Sequence, residues 1–214
     1  MGGTVSELRI MGKRIERERC PVLFDTPFDA AIWEQHWQVR APEWRVEGEW
    51  LIGRNPDNRP GMVTSRASYF GNILLEFEAR TALPSTHDID CMWNGSWDEE
   101  KDERGVAYVA GLQGWWEGKV GIEKSPDYKL NALTPLFPFE PGRIYQIQAG
   151  SVDGHAFIFV DGRLAIEVTD PDPIDNRRHG LVGFEAYASH IQIRRPVIRQ
   201  IVWSLRSLSY PPEF

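Results

Sequence analysis

Cysteine is almost absent. Cys20 and Cys91 are the only two in 214 residues, too few for a disulfide scaffold or a thiolate zinc site. Basic charge is in deficit, with 24 Lys and Arg against 31 Asp and Glu and a net charge of −7. That balance argues against the basic footprint needed to bind duplex nucleic acid. No apolar run is long enough to cross a bilayer as a helix, so no membrane partner is expected. The first twenty residues hold no apolar signal core, so no secretory leader is expected and a cytoplasmic location is. Common enzyme signatures are missing too: no Gly-rich phosphate loop, no GxGxxG after a strand, no GxSxG elbow and no HExxH. His36, His87, His155, His179 and His190 form no ligand-spaced pair. Helical periodicity is equally scarce, with only Asp29 to His36 showing it.

What the chain does have is tryptophan, nine of them, and strand patterning. Ile73, Leu75, Phe77 and Ala79 alternate with Glu76 and Glu78, which is a half-buried strand. Residues 144–168 read as a three-stranded antiparallel meander, turned at Val152-Asp153-Gly154 and at Asp161-Gly162. Asp-Gly suits a two-residue hairpin turn because both central residues need positive φ. Further strands are expected at 36–40, 43–47, 49–54, 61–65, 88–94, 105–113, 117–123, 180–186, 189–194 and 197–205. Many short strands with Pro and Gly punctuation indicate an all-β, two-sheet antiparallel sandwich. The length suits one domain. It is expected over 22–205, with residues 1–21 as a solvated helical turn or loose arm and 206–214 as a tail.

The order of particular segments carries a family resemblance. Val22-Leu23-Phe24-Asp25 is followed by Trp33, Trp37 and Trp44, then by Val46-Glu47-Gly48-Glu49-Trp50-Leu51 and Gly61-Met62-Val63-Thr64-Ser65. Later come Phe159-Val160-Asp161-Gly162, Gly180-Leu181-Val182-Gly183-Phe184-Glu185 and Ile198-Arg199-Gln200-Ile201. From Val22 to Leu205 this resembles the concanavalin A-like lectin/glucanase superfamily. Within it, the chain is similar to bacterial sugar-pathway proteins and 3-keto-disaccharide hydrolase-like domains. The resemblance implies a jelly roll with sugar on a concave sheet and Trp33, Trp37 and Trp44 in the core. It also implies that Glu185 lies on the concave face beside Tyr187, with Gly183 leaving room for a sugar ring. Asp25 could join a rim calcium site of the kind many relatives use, but no oxygen-ligand loop is recognisable, and no other cofactor is implied. The Glu-x-Asp-x-x-Glu signature of laminarinase-type members is not met: in Asp88-Ile89-Asp90-Cys91-Met92-Trp93 the third carboxylate is replaced by Trp93.

Strand parity supplies candidate site residues. If Ile89, Cys91 and Trp93 face the core, Asp90 and Asn94 face away, as a carboxylate and an amide suited to sugar hydroxyls or as solvated strand residues. Val120 and Ile122 read as core, which turns Glu123 outward, with Lys124 beside it as a pKa-tuning partner or a surface pair. His190 and Arg194 alternate with Ile191 and Ile193; a structural His190 is the alternative reading. Trp97, Trp115 and Trp116 offer flat faces for a pyranose, or fill the core and its loops. Two function classes follow: a carbohydrate-recognising sandwich that binds a mono- or oligosaccharide, or a hydrolase or lyase acting on oligosaccharides or 3-keto-glycosides. In the second, Glu185 or Glu123 is the acid, and Asp90 or His190 the base. A third reading is an assembly module, a homo-oligomer paired through a flat sheet face.

Overall fold

The computed structural model describes residues 7–40, 43–114, 119–135 and 138–206, apart from the side chains of Asn58 and Arg59. The chain opens with a hairpin, β1 (Glu7–Ile10) and β2 (Lys13–Glu16), and a short 3-10 turn at Arg17–Arg19. β3 (Val22–Phe24), the one-turn helix α1 (Trp33–His36) and β4 (Trp37–Val39) lead to β5 (Glu43–Glu47) and the long β6 (Trp50–Ser65). Next come β7 (Ile73–Thr81), β8 (Ile89–Gly95), and a small hairpin of β9 (Trp97–Asp98) and β10 (Glu103–Arg104). β11 (Ala107–Gly114), β12 (Lys119–Ser125) and β13 (Asn131–Thr134) follow. The expected meander is β14 (Tyr145–Val152), β15 (His155–Val160) and β16 (Arg163–Thr169). The long β17 (Leu181–Gln200) and the short β18 (Trp203–Leu205) complete the described chain.

These strands form an antiparallel β-sandwich. The front sheet runs β13-β12-β11-β8-β17-β6-β4, and the back sheet runs β16-β15-β14-β7-β17-β6-β5. β6 and β17 serve both sheets, so segments expected as separate strands at 49–54 and 61–65, and at 180–186 and 189–194, are halves of single bent strands. The switch in β17 falls at Ala188, whose φ is +47, where its register with β6 slips between Tyr187 and Ser189. The left-handed backbone at Ala188 breaks the alternation, so parity reverses across it. Val182, Phe184 and Ala186 are buried before it, Ile191 and Ile193 after it.

Between the sheets lies an aromatic core. Trp37 meets Phe184 at 5.3 Å between ring centroids, and Phe77 meets Phe184 at 5.0 Å. Trp33, Trp37 and Trp44 are all buried, as expected. Trp93 donates from Nε1 to Ser151 Oγ at 3.0 Å, joining β8 of the front sheet to β14 of the back.

Residues 7–16 are strands and not a loose arm, and the expected helical turn is confined to the 3-10 turn at Arg17–Arg19. β1, β2 and β18 make a third, three-stranded sheet. Its Leu8, Ile10 and Ile15 pack on Leu74, Phe157 and Phe159, on the outer side of the back sheet. The physical reason is alternation: Leu8 and Ile10 share one strand face with Ile15 opposite Leu8 in the register, and Gly12 supplies the turn at φ +69.

Candidate functional site

The outer face of the front sheet, turned away from the core, gathers three of the expected carboxylates. Asp90 on β8 stands directly opposite Glu185 on β17 and, on its other side, opposite Gly111 on β11. Directly opposed residues hold their Cβ atoms about 4.5–5.5 Å apart. Glu123 lies on β12, opposite Val109, which itself is opposite Met92. A fourth carboxyl, Asp88, enters from just before β8. Its Oδ2 accepts from the backbone N–H of Tyr187 at 2.7 Å, and its carbonyl accepts from Ser189 Oγ at 3.3 Å. All four side chains are buried.

Among the described residues, one cation sits in their midst. Arg104, at the end of the β9–β10 hairpin, bonds Glu185 Oε2 through Nη1, reaches Glu123 Oε1 from Nη2 at 3.4 Å, and donates from Nε to Ser125 Oγ at 3.0 Å. The Tyr128 hydroxyl lies beside it. The same hairpin covers the apolar part of the face. Trp97 packs on Met62, Met92, Ala107 and Val109, and the Arg40 guanidinium stacks on the Trp97 ring at 4.7 Å while its two Nη atoms hold Glu99 at 2.9 and 3.1 Å.

Four acids around one arginine cannot all be ionised cheaply in a water-poor site. Burial raises the Asp88 pKa to about 7, with the Glu185 charge adding to the effect. Burial, then the charges of Asp88 and Glu185, push Asp90 well above the usual carboxylate range. Glu185 is also raised by burial, but the Arg104 charge and hydrogen bond oppose that rise. Asp90 Oδ1 is buried without a hydrogen-bond partner. It faces the same small residue as its neighbour: a Cβ built on Gly114 would lie 2.8 Å from Asp88 Oδ1 and 3.6 Å from Asp90 Oδ1. A proton held by this dyad supplies the missing donor. The arrangement therefore sets a dyad whose proton affinity burial has raised beside a carboxyl bonded to arginine, the two kinds of group that acid–base chemistry uses.

Other expected site residues lie elsewhere. Asn94 has φ +44, which breaks the alternation. Its amide donates to Gly71 O at 3.1 Å and its Oδ1 accepts from Ser151 Oγ at 3.2 Å, so it braces the interior. Lys124 points to the face opposite Glu123, as successive strand residues must, and pairs with Asp170 at 3.0 Å. Arg194 lies past the β17 bend on the back sheet, bonded to Glu78 at 2.7 Å and to Glu49, with the Trp50 ring 4.4 Å below it. His190 lies past the same bend, outside the carboxyl cluster, and lines a separate cavity. Gly183 leaves no room for a ring, because a Cβ there would meet Met92 Cγ at 3.2 Å and Val63 O at 2.7 Å. Tyr187 keeps the parity of Glu185 and is 39% exposed at the rim. Trp97 is half-buried beside the cluster, and Asp25 is exposed. Trp115 and Trp116 fall outside the described residues.

Sequence reasoning missed Arg104 and left Asp88 without a role. Arg104 belongs to a charge run, Asp98 to Arg104, that reads as a solvated loop; nothing local shows that its last member folds back under the hairpin. Asp88 did share the parity of Asp90, and that was the available signal.

No family model and no curated relative matches the chain. Solved structures do. A protein of unknown function with a galectin-like fold from Bacillus subtilis superposes with a TM-score of 0.68 at 11% identity, covering 85% of this chain and 97% of that one. The carbohydrate binding module CBM66 from Bacillus subtilis gives 0.56 at 15% identity, over 78% of this chain and 94% of the module. A Crh5 transglycosylase in complex with NAG gives 0.56 at 12% identity, over 83% of each chain. At these identities the likeness is one of fold alone, an antiparallel β-sandwich.

Proposed function

We propose that this chain is a carbohydrate-acting β-sandwich that takes a mono- or oligosaccharide at the carboxyl cluster on the outer face of its front sheet. The observation that carries the reading is the contrast within that cluster: a buried Asp88–Asp90 dyad poised to hold a proton near neutral pH, beside Glu185 tied to Arg104. Fold neighbours named as a carbohydrate binding module and a transglycosylase support the substrate class. The dyad favours catalysis over simple recognition. Perturbed pairs of this kind cluster at reacting centres, and a binder needs only fixed donors and acceptors. Asp90 or the dyad then gives the proton to a leaving oxygen, and Glu185 acts as the opposing carboxylate, which is the chemistry of a hydrolase or lyase on oligosaccharides or 3-keto-glycosides.

The test is a panel of mono- and oligosaccharides that includes 3-keto-glycosides, scored by thermal shift and then by product analysis. A ligand that raises the unfolding temperature and is cleaved supports the proposal. A ligand that binds unchanged reduces it to recognition, and a panel in which no saccharide shifts the melt overturns it.

A further inference from the structure

A cavity of about 390 Å³ lies next to the carboxyl cluster, where β6 and β17 bend from one sheet to the other. It is lined by Arg54, Ser85, Thr86, His87, Ser189 and His190, among others. Its size falls within the roughly 300–1,000 Å³ of small-molecule sites. Two links join it to the cluster. His87 lines the cavity while the next residue, Asp88, belongs to the dyad, and Ser189 donates its hydroxyl to Asp88 O at 3.3 Å.

Arg54 brings donors to it, and the hydroxyls of Ser85, Thr86 and Ser189 can donate or accept. Among the described residues Arg54 takes part in no ion pair, although Glu43 stands opposite it in the strand register. His190 Nε2 is shielded from solvent and has no hydrogen-bond partner, while its backbone N–H is held by Ser85 Oγ at 3.0 Å. Burial first, then the charges of Arg45 and Arg54, lower the His190 pKa, with Glu47 acting the other way. The field at this imidazole is therefore positive, in a chain whose net charge is −7. A free guanidinium beside an unsatisfied ring nitrogen suits a planar oxyanion, which Arg binds through two parallel hydrogen bonds.

We infer that this cavity is a subsite for the carboxylate of an acidic sugar residue, gripped by Arg54 and His190 while the neighbouring residue of the same saccharide reaches the Asp88–Asp90 dyad. The inference rests on the proposed saccharide site and names its substrate class as uronic-acid glycans. The repulsion expected from the acid cluster is reduced because Arg104 balances one carboxylate and burial raises the proton affinity of the dyad.

The experiment is calorimetric titration of the full chain with matched tetrasaccharides, one set of neutral hexoses and one of the corresponding uronic acids, with free glucuronate and sodium sulfate as separate arms. The uronate set should bind at least tenfold more tightly than the neutral set. Arg54→Gln should erase that preference, and His190→Gln should reduce it. Equal affinity for the two sets overturns the subsite and leaves the proposed function standing, whereas binding of neither set overturns both. A preference that survives both substitutions, or sulfate competing as well as glucuronate, overturns the assignment to a sugar carboxylate in this cavity. Arg54 is exposed, so its variant should keep the parent melting temperature.

Discussion

Asp90 and Glu185 are direct cross-strand partners on β8 and β17, yet their carboxyls have different company. Glu185 is bonded to Arg104, while Asp90 Oδ1 has no donor among the described residues. Two like groups placed side by side and then given unlike partners differ in proton affinity, since the Arg104 charge opposes the rise at Glu185 that burial imposes on both. Such a pair weakens the fold, because like charges out of water repel and desolvation opposes both. Its placement on the sheet face away from the core points to chemistry, since packing alone would be better served by apolar residues.

Asp88 sets a pH dependence of stability. Its pKa is about 7 in the folded protein against an ordinary 3.8. Between those values the folded state binds more protons than the unfolded one, so stability falls as pH rises through about 4 to 7. About three units correspond to a few kcal/mol. Asp88→Asn should flatten this dependence and raise the urea midpoint at pH 8 relative to the parent. Urea unfolding at pH 4.5, 6 and 8 checks it; a parent midpoint that climbs over that range would contradict the assignment.

Arg104→Met should be the most damaging change in the cluster. It removes the only guanidinium bonded to Glu185 among the described residues and leaves that carboxylate buried without its partner, a loss of about 3–5 kcal/mol. The stranded carboxyls can take up protons, so the loss should be larger at pH 8 than at pH 5. Adding Glu123→Gln and Glu185→Gln to the same chain should recover much of the stability. Equilibrium unfolding of the single and triple variants tests both statements.

The sandwich was legible because alternation is a local property, and most strands obey it without interruption. Ile89-Cys91-Trp93, Val120-Ile122 and Val182-Phe184-Ala186 each turn one face inward, which leaves Asp90, Glu123 and Glu185 on the other. Parity carries only as far as the backbone stays regular. It ends at Asn94, where φ becomes positive, and at Ala188, beyond which His190 and Arg194 belong to the back sheet. Arg104 was illegible for another reason: its partners are 19 and 81 residues away, and a charge run read alone looks solvated. The β1–β2 hairpin obeys alternation too, but its strands of four residues are too short to outweigh their many charges.

That hairpin carries its own test. Ile15 is fully buried against the outer layer of the back sheet, in one cluster with Leu8, Leu74 and Phe159. Ile15→Ala should cost about 2–5 kcal/mol, the range for large-to-small changes in a packed core. A solvated arm would lose almost nothing. Amide hydrogen exchange should quicken first across β1, β2 and β18, because these strands form a sheet of their own.

Glu185→Gln separates catalysis from recognition. The amide keeps the size of the carboxylate and can still accept a hydrogen bond from Arg104, so the protein should fold and hold a saccharide. It can neither carry the negative charge nor take up a proton. On any glycoside the parent cleaves, turnover should fall about a hundredfold or more, the usual scale of a general acid or base, with KM changed much less. Removing a buried carboxylate also lowers the repulsion acting on Asp90, since the Glu185 charge helps raise the Asp90 pKa. Asp90 should then give up its proton at lower pH, and the upper limb of any residual pH–rate profile should shift to lower pH. A rate loss without that shift would mean Glu185 acts apart from Asp90, and no rate loss at all would remove Glu185 from the reaction.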